Sequence, residues 1–464
     1  MTSRARGHRP ALWQLLVAIR LASAIADYVF QPLPEPVANV TAPSVAATII
    51  GDIIIGGLFP VHDKGEKACG SINADRGIER LEAMLFTIDE INNNSSILPG
   101  IKLGASAFDT CGRAPYALEQ SLEFIRASIT SLDPTEFYCS DGSKASAKQV
   151  PTAVAGVVGG SYSTVSIQVA NLLRLFKIPQ ISYASTSAAL SDKTRYDYFV
   201  RTVPPDTLQA KALVDIVLEF NWTYVSIVHS EGEYGESGTD FFKQEAKSKN
   251  ICIAADIEIS LIATNSVYDQ VIKELLDKPE ATVVIVFVRI EDATGLLNAA
   301  SRKNLTGKFV WVASDAWGYR LAPVKNNPLV AQGAITLELK SSPILKFEQY
   351  FLNLNPRTNK RNPWFIEYWE EEHKCAWNGV VPKSAEAATK TTMKACKGDE
   401  RLNRKITSQE SKVQFIYDAV YAFAHALDKM HRDLCPGIIG VCKRMEKIDG
   451  EKLLREYLLN VSFD

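Results

Sequence analysis

The chain has 464 residues, and its 51 Lys and Arg nearly balance its 53 Asp and Glu, which leaves a formal net charge of −2 at pH 7. Near-neutrality without a basic run argues against nucleic-acid or membrane-surface binding as the main role, and 46% hydrophobic with 22% charged residues excludes a disordered chain. The length holds about three domains' worth of residues. The classes that stay open are an enzyme, a ligand-binding protein and part of a larger receptor.

The N-terminus has the three-part pattern of a secretory signal peptide. Three arginines within the first nine residues precede a mostly apolar stretch, 11–26, which ends in the small-x-small sequence Ala24-Ile25-Ala26. An interfacial helix is the alternative. We therefore expect 1–26 to be a signal peptide, 27–47 an N-terminal lead, and the chain to enter the secretory pathway. N-glycosylation sequons agree with secretion and begin at Asn39, Asn93, Asn94, Asn221, Asn304 and Asn460.

From about residue 48 the chain alternates short apolar strands with amphipathic helices. The predicted strands are 49–59, 101–108, 154–158, 180–183, 224–229, 251–257, 282–288 and 309–313. The predicted helices are 75–92, 118–129, 166–176, 208–220, 239–248, 268–276 and 293–302. Repeated β-α units predict an α/β fold of parallel sheets with helices on both faces, and the number of strands predicts two lobes. Ligands of such folds bind beyond the carboxyl ends of the strands.

No catalytic motif of the chain has the context that its chemistry requires. The sequence His431-Arg432-Asp433-Leu434 matches the start of a kinase catalytic loop, but Ile438 stands where the loop needs Asn. The six histidines form no H-E-x-x-H motif, and neither a nucleophile elbow nor a phosphate-binding loop occurs. Eight cysteines without a C-x-x-C pair predict no zinc site. An enzyme is therefore the least favoured class, and no metal or cofactor is expected.

Two segments with small hydroxyl residues follow predicted strands. They are 157–163, with the sequence VVGGSYS, and 182–187, with the sequence SYASTS. Glycines let a ligand approach the backbone, and N–H groups at a helix N-terminus favour a carboxylate or phosphate. Ordinary helix capping is the alternative for either segment. Their recurrence at two strand ends favours an anion site.

Arg76 and Arg80 share one face of the first predicted helix. Like charges four residues apart destabilise a helix unless something negative joins them. The neighbouring Glu79 and Glu82 are one such partner, and a bound carboxylate is the other.

Asp206, Tyr234 and Asp315 lie at the edges of predicted loops. Two acids and an aromatic ring are side chains that hold an ammonium group, although a helix cap or a turn is the alternative for each residue alone.

The cysteines are expected to form disulfides in an oxidising compartment, although eight cysteines allow 105 pairings. Their surroundings favour three pairings and leave two cysteines over. The pairs are Cys69 with Cys111, Cys375 with Cys396, and Cys435 with Cys442, and the cysteines left over are Cys139 and Cys252.

Several longer segments, taken in order, resemble one receptor family. They are 77–84, 166–173, 190–193, 221–226, 234–238, 361–365 and 434–437. Over residues 51–464 the chain resembles the extracellular ligand-binding domain of metabotropic glutamate receptors, which are class C G-protein-coupled receptors. Arg76 and the segments 159–163 and 203–206 are most similar to the group II subtypes, which couple to inhibitory G proteins.

The resemblance implies a two-lobed Venus flytrap, of the periplasmic-binding-protein type, that closes on glutamate. It implies lobe 1 at 48–203, lobe 2 at 204–338 and a return to lobe 1 at 339–464. It also implies a role for each site residue. The α-carboxylate would be held by Ser163, Thr186 and the backbone near Ala184 and Ser185, the α-ammonium by Asp206, Tyr234 and Asp315, and the side-chain carboxylate by Arg80, Lys412 and Arg76. Without the resemblance, Lys412 is predicted to be a surface lysine that opens a helix.

The resemblance further implies a homodimer through lobe 1, with Cys139 in the disulfide between subunits and Cys252 linked to a cysteine-rich domain. It implies the three internal disulfides favoured above.

Two departures from the family affect these expectations. Ala316 replaces a usual glycine, which would displace the Asp315 loop if that position needs a positive φ. The sequence also stops at Asp464, without the cysteine-rich and seven-helix regions, so we expect a truncated product in which Cys252 is unpaired. The complete receptor would reach the extracellular face of the plasma membrane and couple to a G protein through its seven helices. The alternative is a soluble amino-acid-binding decoy or partner protein without signalling.

Overall fold

The computed structural model describes residues 45–65, 68–129, 153–377, 394–403 and 409–463. The predicted signal peptide, the sequon at Asn39 and Cys139 lie outside the described residues. The strands are β1 (Ala46–Ile49), β2 (Ile53–Phe59), β3 (His62–Lys64), β4 (Cys69–Ile72), β5 (Leu103–Asp109), β6 (Val154–Val158), β7 (Gln180–Ser182), β8 (Phe199–Arg201), β9 (Tyr224–Ser230), β10 (Cys252–Ile259), β11 (Val283–Phe287), β12 (Val310–Ala313), β13 (Ile335–Thr336), β14 (Cys375–Ala376) and β15 (Lys394–Ala395).

Helices follow most of these strands. They are α1 (Arg80–Asn92), α2 (Ala114–Ile129), α3 (Ser163–Leu173), α4 (Asp206–Glu219), α5 (Glu233–Ser248), α6 (Asn265–Leu276), α7 (Ile290–Arg302), α8 (Ala322–Lys325), α9 (Leu345–Leu352), α10 (Phe365–His373), α11 (Val413–Leu434) and α12 (Gly450–Lys452). A π-helical turn, Ala74–Glu79, leads into α1 and is capped by the side chain of Asn73. Short 3-10 and π turns also extend α3 and α12.

The first sheet has six strands in the order β1-β5-β2-β6-β7-β8. All neighbours are parallel except β1 and β5, which are antiparallel. The central strand β6 is buried along its whole length, as expected of a strand covered on both faces. Helices α2 and α3 cover one face, and α1 and α11 cover the other. We call this sheet with its helices lobe 1.

The second sheet has five parallel strands in the order β10-β9-β11-β12-β13. Its central strand β11, with the sequence VVIVF, is fully buried. Helices α4 and α5 cover one face, and α6 and α7 cover the other. We call this sheet with its helices lobe 2. The predicted α/β fold class, two lobes of mainly parallel sheet covered by helices, is confirmed.

The core of lobe 1 draws on two separate stretches of the chain. Its buried residues run from Ala47 to Val203 and resume from Phe347 to Leu458, whereas the two cores of lobe 2 lie between Ala210 and Ala331. The later stretch is dominated by α11, whose buried residues recur every three or four positions. The chain therefore enters lobe 2 from lobe 1 and returns. The boundaries at 203/204 and 338/339 stay predictions.

The structure differs from the expected elements in identifiable ways. The predicted strand 49–59 is two strands, because the chain turns between Ile49 and Ile53 and β1 pairs with β5 in the opposite direction. Helices α2, α3, α5, α6 and α7 begin three to six residues before their predicted starts. Gly, Ser or Thr weaken the apolar periodicity at the starts of α3, α5 and α6, whereas the starts of α2 and α7 contain none of these residues. The strand–helix alternation gave no elements beyond residue 313, but the helix expected to open at Lys412 is present as α11.

Disulfides join Cys69 to Cys111, Cys375 to Cys396, and Cys435 to Cys442, which are the pairs that the resemblance implies. Cys252 is free and exposed within the described part of the chain. The asparagines of the described sequons are exposed and so accessible to a glycosyltransferase, although glycosylation itself stays a prediction. They are Asn93, Asn94, Asn221, Asn304 and Asn460.

Candidate functional site

A cleft of about 110 Å³ lies where the carboxyl ends of both sheets meet. Lobe 1 contributes the loops after β6 and β7, and lobe 2 contributes the loops after β9, β11 and β12. Eight of the ten predicted ligand residues line this cleft, namely Arg76, Arg80, Ser163, Ala184, Thr186, Tyr234, Asp315 and Lys412. The other two, Ser185 and Asp206, are fully buried beside it. The structure therefore brings together residues that lie more than 300 positions apart in the chain.

The lobe 1 wall combines backbone and hydroxyl groups. After β6 the chain turns at Gly159, whose φ of +133° suits glycine and where a Cβ would lie 2.4 Å from the Leu58 carbonyl oxygen. This tight turn delivers the first turn of α3, with Ser163 and Thr164, to the cleft. N–H groups in a first helical turn lack acceptors within the helix, so this wall favours an anion.

The second hydroxyl segment is partly engaged by the protein itself. The Ser182 hydroxyl accepts hydrogen bonds from the N–H groups of Ala184 (3.3 Å) and Ser185 (2.9 Å), the backbone groups expected to face a carboxylate. The Ser185 hydroxyl lies 2.7 Å from that of Ser166. Thr186 and Ser163 still face the cleft. The anion-binding part of this wall is therefore made of side-chain hydroxyls and the start of α3.

The lobe 2 wall carries an acidic end, formed by Asp206, Tyr234 and Asp315. Gln209 holds the two carboxylates together, because its amide N–H group donates to Asp206 Oδ1 (2.8 Å) and Asp315 Oδ1 (2.9 Å). The Tyr234 hydroxyl donates to Asp315 Oδ1 at 3.1 Å. Tyr234 opens α5 beside Gly235, where a Cβ would lie 2.0 Å from the Ser230 carbonyl oxygen. These hydrogen bonds hold the oxygen atoms of Asp206, Tyr234 and Asp315 close together.

Asp206 is the least satisfied group of the acidic end. It is fully buried, and its Oδ2 accepts no hydrogen bond of good geometry from any residue that the structure describes, although an interaction with the Thr186 hydroxyl partly offsets the rise in its pKa. Burial and the nearby charge of Asp315 raise the pKa of Asp206 well above its ordinary value. By contrast, the charge of Lys412 and the hydrogen bond from Gln209 outweigh burial and lower the pKa of Asp315. The acidic end therefore has an unused acceptor that a cation would satisfy.

Beside the acidic end lies a cationic end, formed by Arg80, Arg320 and Lys412. Arg80 is 2% exposed and donates from Nε and Nη2 to the two carboxylate oxygens of Glu410 (2.9 and 2.6 Å) and from Nη1 to the Ser161 hydroxyl (2.7 Å). Although burial opposes ionisation, Arg80 and Arg320 lower the pKa of Glu410 to about 2. This is a buried ion pair with bidentate geometry.

Lys412 and Arg320 connect the two lobes. Lys412, which precedes α11, is 2% exposed and lies 3.1 Å from both Asp315 Oδ2 and Glu338 Oε1. Arg320, from lobe 2, donates to Glu410 Oε1 at 3.1 Å. The expectation of a surface lysine at 412 was therefore wrong, because the partners that bury it are far away in sequence.

Arg76 also spans the cleft. Its Nη2 lies 2.7 Å from Glu291 of lobe 2 and 3.4 Å from Asp63 of lobe 1. The suggested neutralisation of Arg76 and Arg80 by Glu79 and Glu82 was wrong. Glu82 instead accepts hydrogen bonds from Asn359, Asn362 and Tyr350, and Glu79 accepts the N–H group of Glu410.

Sequence reasoning missed several residues of the site, namely Gln209, Glu291, Arg320, Glu338 and Glu410. Two of them lie close in sequence to residues that were assigned to the site. Glu410 stands two residues before Lys412, and Arg320 stands five residues after Asp315, so this proximity could have identified both. The Ala316 departure has no effect on the backbone, because Ala316 is not among the described residues with positive φ.

Comparison with known proteins adds to this geometry. Residues 79–464 match the family described as "Receptor family ligand binding region". The chain is 46% identical over 470 residues to the metabotropic glutamate receptor of Drosophila melanogaster, covering 93% of this chain and 48% of that protein. It is also 46% identical to metabotropic glutamate receptor 4 of Mus musculus and of Rattus norvegicus, covering 97% of this chain and 49% of each receptor. The chain thus spans about half the length of these relatives. Among the described residues, no helix combines the length and the apolar composition needed to cross a bilayer.

Proposed function

Since the chain belongs to the family of receptor ligand-binding regions, we propose that it binds an amino acid in the cleft between its lobes, and that L-glutamate is this amino acid. The observation that carries the proposal is the unused Asp206 Oδ2, buried beside Asp315 and Tyr234. A buried acceptor without a partner costs about 1–3 kcal/mol, more when it is charged, and an α-ammonium group removes that cost.

The rest of an amino acid fits the other groups of the cleft. Its α-carboxylate would meet the hydroxyls of Ser163 and Thr186 and the first turn of α3, which favour an anion. A side-chain carboxylate would meet Arg80 and Lys412 of the cationic end and also Arg76, all of which line the cleft. Backbone contacts near Ala184 and Ser185 would compete with the Ser182 hydroxyl, which already accepts from both N–H groups.

The receptor context is part of the same proposal. We infer a homodimer through lobe 1, because Leu122 on α2 and Leu175 just after α3 are 49% and 74% exposed, and a second subunit is the apolar cover that such side chains lack. Cys139 would join the two subunits. In a complete receptor the chain would lie outside the plasma membrane and act through a G protein.

The finer assignment to group II, with inhibitory coupling, rests on Arg76 and the segments 159–163 and 203–206. The reported relatives do not support it, because those from mouse and rat are metabotropic glutamate receptor 4. A soluble amino-acid-binding decoy or partner protein without signalling stays the alternative.

Calorimetric titration of the full chain with L-glutamate, L-glutamine, glycine and D-glutamate tests the binding proposal. In the variant Asp206→Asn, we expect the affinity for every L-amino acid that binds to fall about 10- to 100-fold, because a hydrogen bond to a charged group contributes about 1.5–3 kcal/mol.

The matched control is Asp215→Asn, since Asp215 lies on the same helix but is exposed. Binding should be unchanged in this control. An unmodified, folded chain that binds none of the four amino acids contradicts the proposal, as does unaltered affinity in Asp206→Asn.

A further inference from the structure

Glu410 places a fixed negative charge behind the cationic end of the cleft, because it contacts Arg80 and Arg320 but does not itself line the cleft. Its side chain is 2% exposed, and its two carboxylate oxygens accept from Arg80 Nε and Nη2. One of them, Oε1, also accepts from Arg320 Nη2 at 3.1 Å, across the boundary between the lobes. The carboxylate is therefore bound on two sides by the cations expected to receive a ligand's distal group.

Glu410 limits what Arg80 still offers to a ligand. A guanidinium has five N–H groups, and the bonds to Glu410 and Ser161 use three of them. A ligand carboxylate bound to the remaining two would lie within the field of the Glu410 carboxylate. Like charges held close in a desolvated site repel strongly, since the effective dielectric constant there is well below that of water.

The charges of the cationic end are closely balanced. Its three cations, Arg80, Arg320 and Lys412, pair with Glu410, with Glu338 and with Asp315 of the adjoining acidic end, which makes three carboxylates in all. A site with this balance has no large excess of positive charge for a distal anion. Neutralising one carboxylate would give it a net positive charge.

We propose that Glu410 determines ligand specificity by moderating the preference of the cleft for amino acids with an anionic side chain over those with a neutral one. This inference rests on the proposed amino-acid binding and deepens it. Glu410 acts by its charge on the ligand's distal group. Its contacts with the backbone, where it accepts the Lys412 N–H and donates its own N–H to Glu79, are a separate structural role.

The test is the ratio of the affinities for L-glutamate and L-glutamine, measured by calorimetry on the full chain. Glu410→Gln keeps the size of the side chain and removes its charge, and we expect the ratio to rise roughly tenfold. Glu410→Asp keeps the charge, and we expect its ratio to stay within about twofold of the unmodified chain. A change that is merely structural lowers both affinities together and leaves the ratio constant.

Several outcomes overturn the inference. A constant or lower ratio in Glu410→Gln does so, and so does an equal rise in Glu410→Asp. If thermal unfolding shows that Glu410→Gln does not fold, Glu410→Ala is measured in acetate and in chloride buffers. Acetate restores a carboxylate next to Arg80 and should lower the ratio, and equal ratios in the two buffers contradict the proposal.

Failure of the proposed function has a different signature. An unmodified chain that binds neither amino acid removes the proposed function and this inference together. An unmodified chain that binds glutamine but not glutamate removes only L-glutamate as the ligand. In that case, glutamate binding that appears in Glu410→Gln supports the role of Glu410, and its continued absence contradicts that role.

Discussion

At the acidic end of the cleft, Asp206 keeps a buried carboxylate oxygen without a hydrogen bond of good geometry from any described residue, whereas at the cationic end Arg80 and Lys412 are each bound by protein carboxylates. The acidic end therefore has a hydrogen-bond acceptor that lacks a well-placed donor among the described residues, whereas the cations of the cationic end already have carboxylate partners within the protein. An ammonium group therefore adds interactions that the protein lacks. A distal carboxylate has to share donors that the protein already uses.

The largest expected effect comes from removing Arg80. Arg80→Ala leaves Glu410 buried without its main partner, and loss of one member of a buried ion pair costs about 3–5 kcal/mol. The free energy of unfolding from urea denaturation should fall by that amount, and glutamate affinity about 10- to 100-fold, with glycine affinity unchanged.

Two further variants show whether the pairing causes this loss. Arg80→Met combined with Glu410→Leu removes both charges and should recover most of the stability. Arg444→Ala removes an exposed arginine and should change the free energy of unfolding by less than about 0.5 kcal/mol. A double variant as unstable as Arg80→Ala would show that the loss of stability does not come from leaving the Glu410 charge unpaired.

An opposite change in stability is expected at the acidic end. The folded pKa of Asp206 lies well above its ordinary value of 3.8, so its ionisation opposes folding at pH values above 3.8. Asp206→Asn should therefore raise the free energy of unfolding by about 1–3 kcal/mol at pH 7, although it weakens ligand binding.

The pH dependence of this stability difference tests independently whether folding raises the pKa of Asp206. The gain in stability should be absent near pH 3.5, increase as the pH rises towards the folded pKa of Asp206, and then stay constant. Urea denaturation of both proteins between pH 3.5 and 8 measures it. If Asp206→Asn is less stable than the unmodified chain at pH 7, the expected opposite effects of changes at the acidic and cationic ends are contradicted.

The smallest effect is expected at the rim of the cleft. Glu291 pairs with Arg76 across the lobes, but its side chain is 49% exposed, and such pairs contribute about 0–1 kcal/mol. Glu291→Gln should lower glutamate affinity by no more than about fivefold, and the difference should shrink at high salt. Glu219→Gln, an exposed change elsewhere on lobe 2, is the control. A loss greater than 20-fold would assign the rim pair a direct role in binding.

Local patterns in the sequence predicted much of the architecture. Apolar strands alternating with helices led to the two sheets, and glycine and hydroxyl residues after β6 led to one wall of the cleft. The spacing of Arg76 and Arg80 predicted a shared face. The identity of their partners was out of reach, because Arg80 pairs with Glu410, which lies 330 positions away. Such a contact depends on the packing of α1 against α11, and no local periodicity reports it.

Lys412 shows the same limit from the other direction. The residues before it, Gln409-Glu410-Ser411, are polar, and a lysine before a helix is ordinarily exposed. Only the return of the chain to lobe 1 buries it against Asp315 and Glu338 of lobe 2. Resemblance to a family assigned it to the site, whereas composition and spacing did not.

The split core of lobe 1 has a consequence for the order of events during synthesis. Its first stretch, ending at Val203, leaves the ribosome before the whole of lobe 2, and its second begins only at Phe347. At about 5–20 residues per second, the first stretch waits roughly 10–45 s for α11. Lobe 2, whose cores come from one continuous stretch, needs no such delay. The nascent chain thus completes its second lobe before its first. Until α11 is synthesised, one face of the six-stranded sheet lacks its helical cover and is a surface for the chaperones of the compartment in which the chain folds.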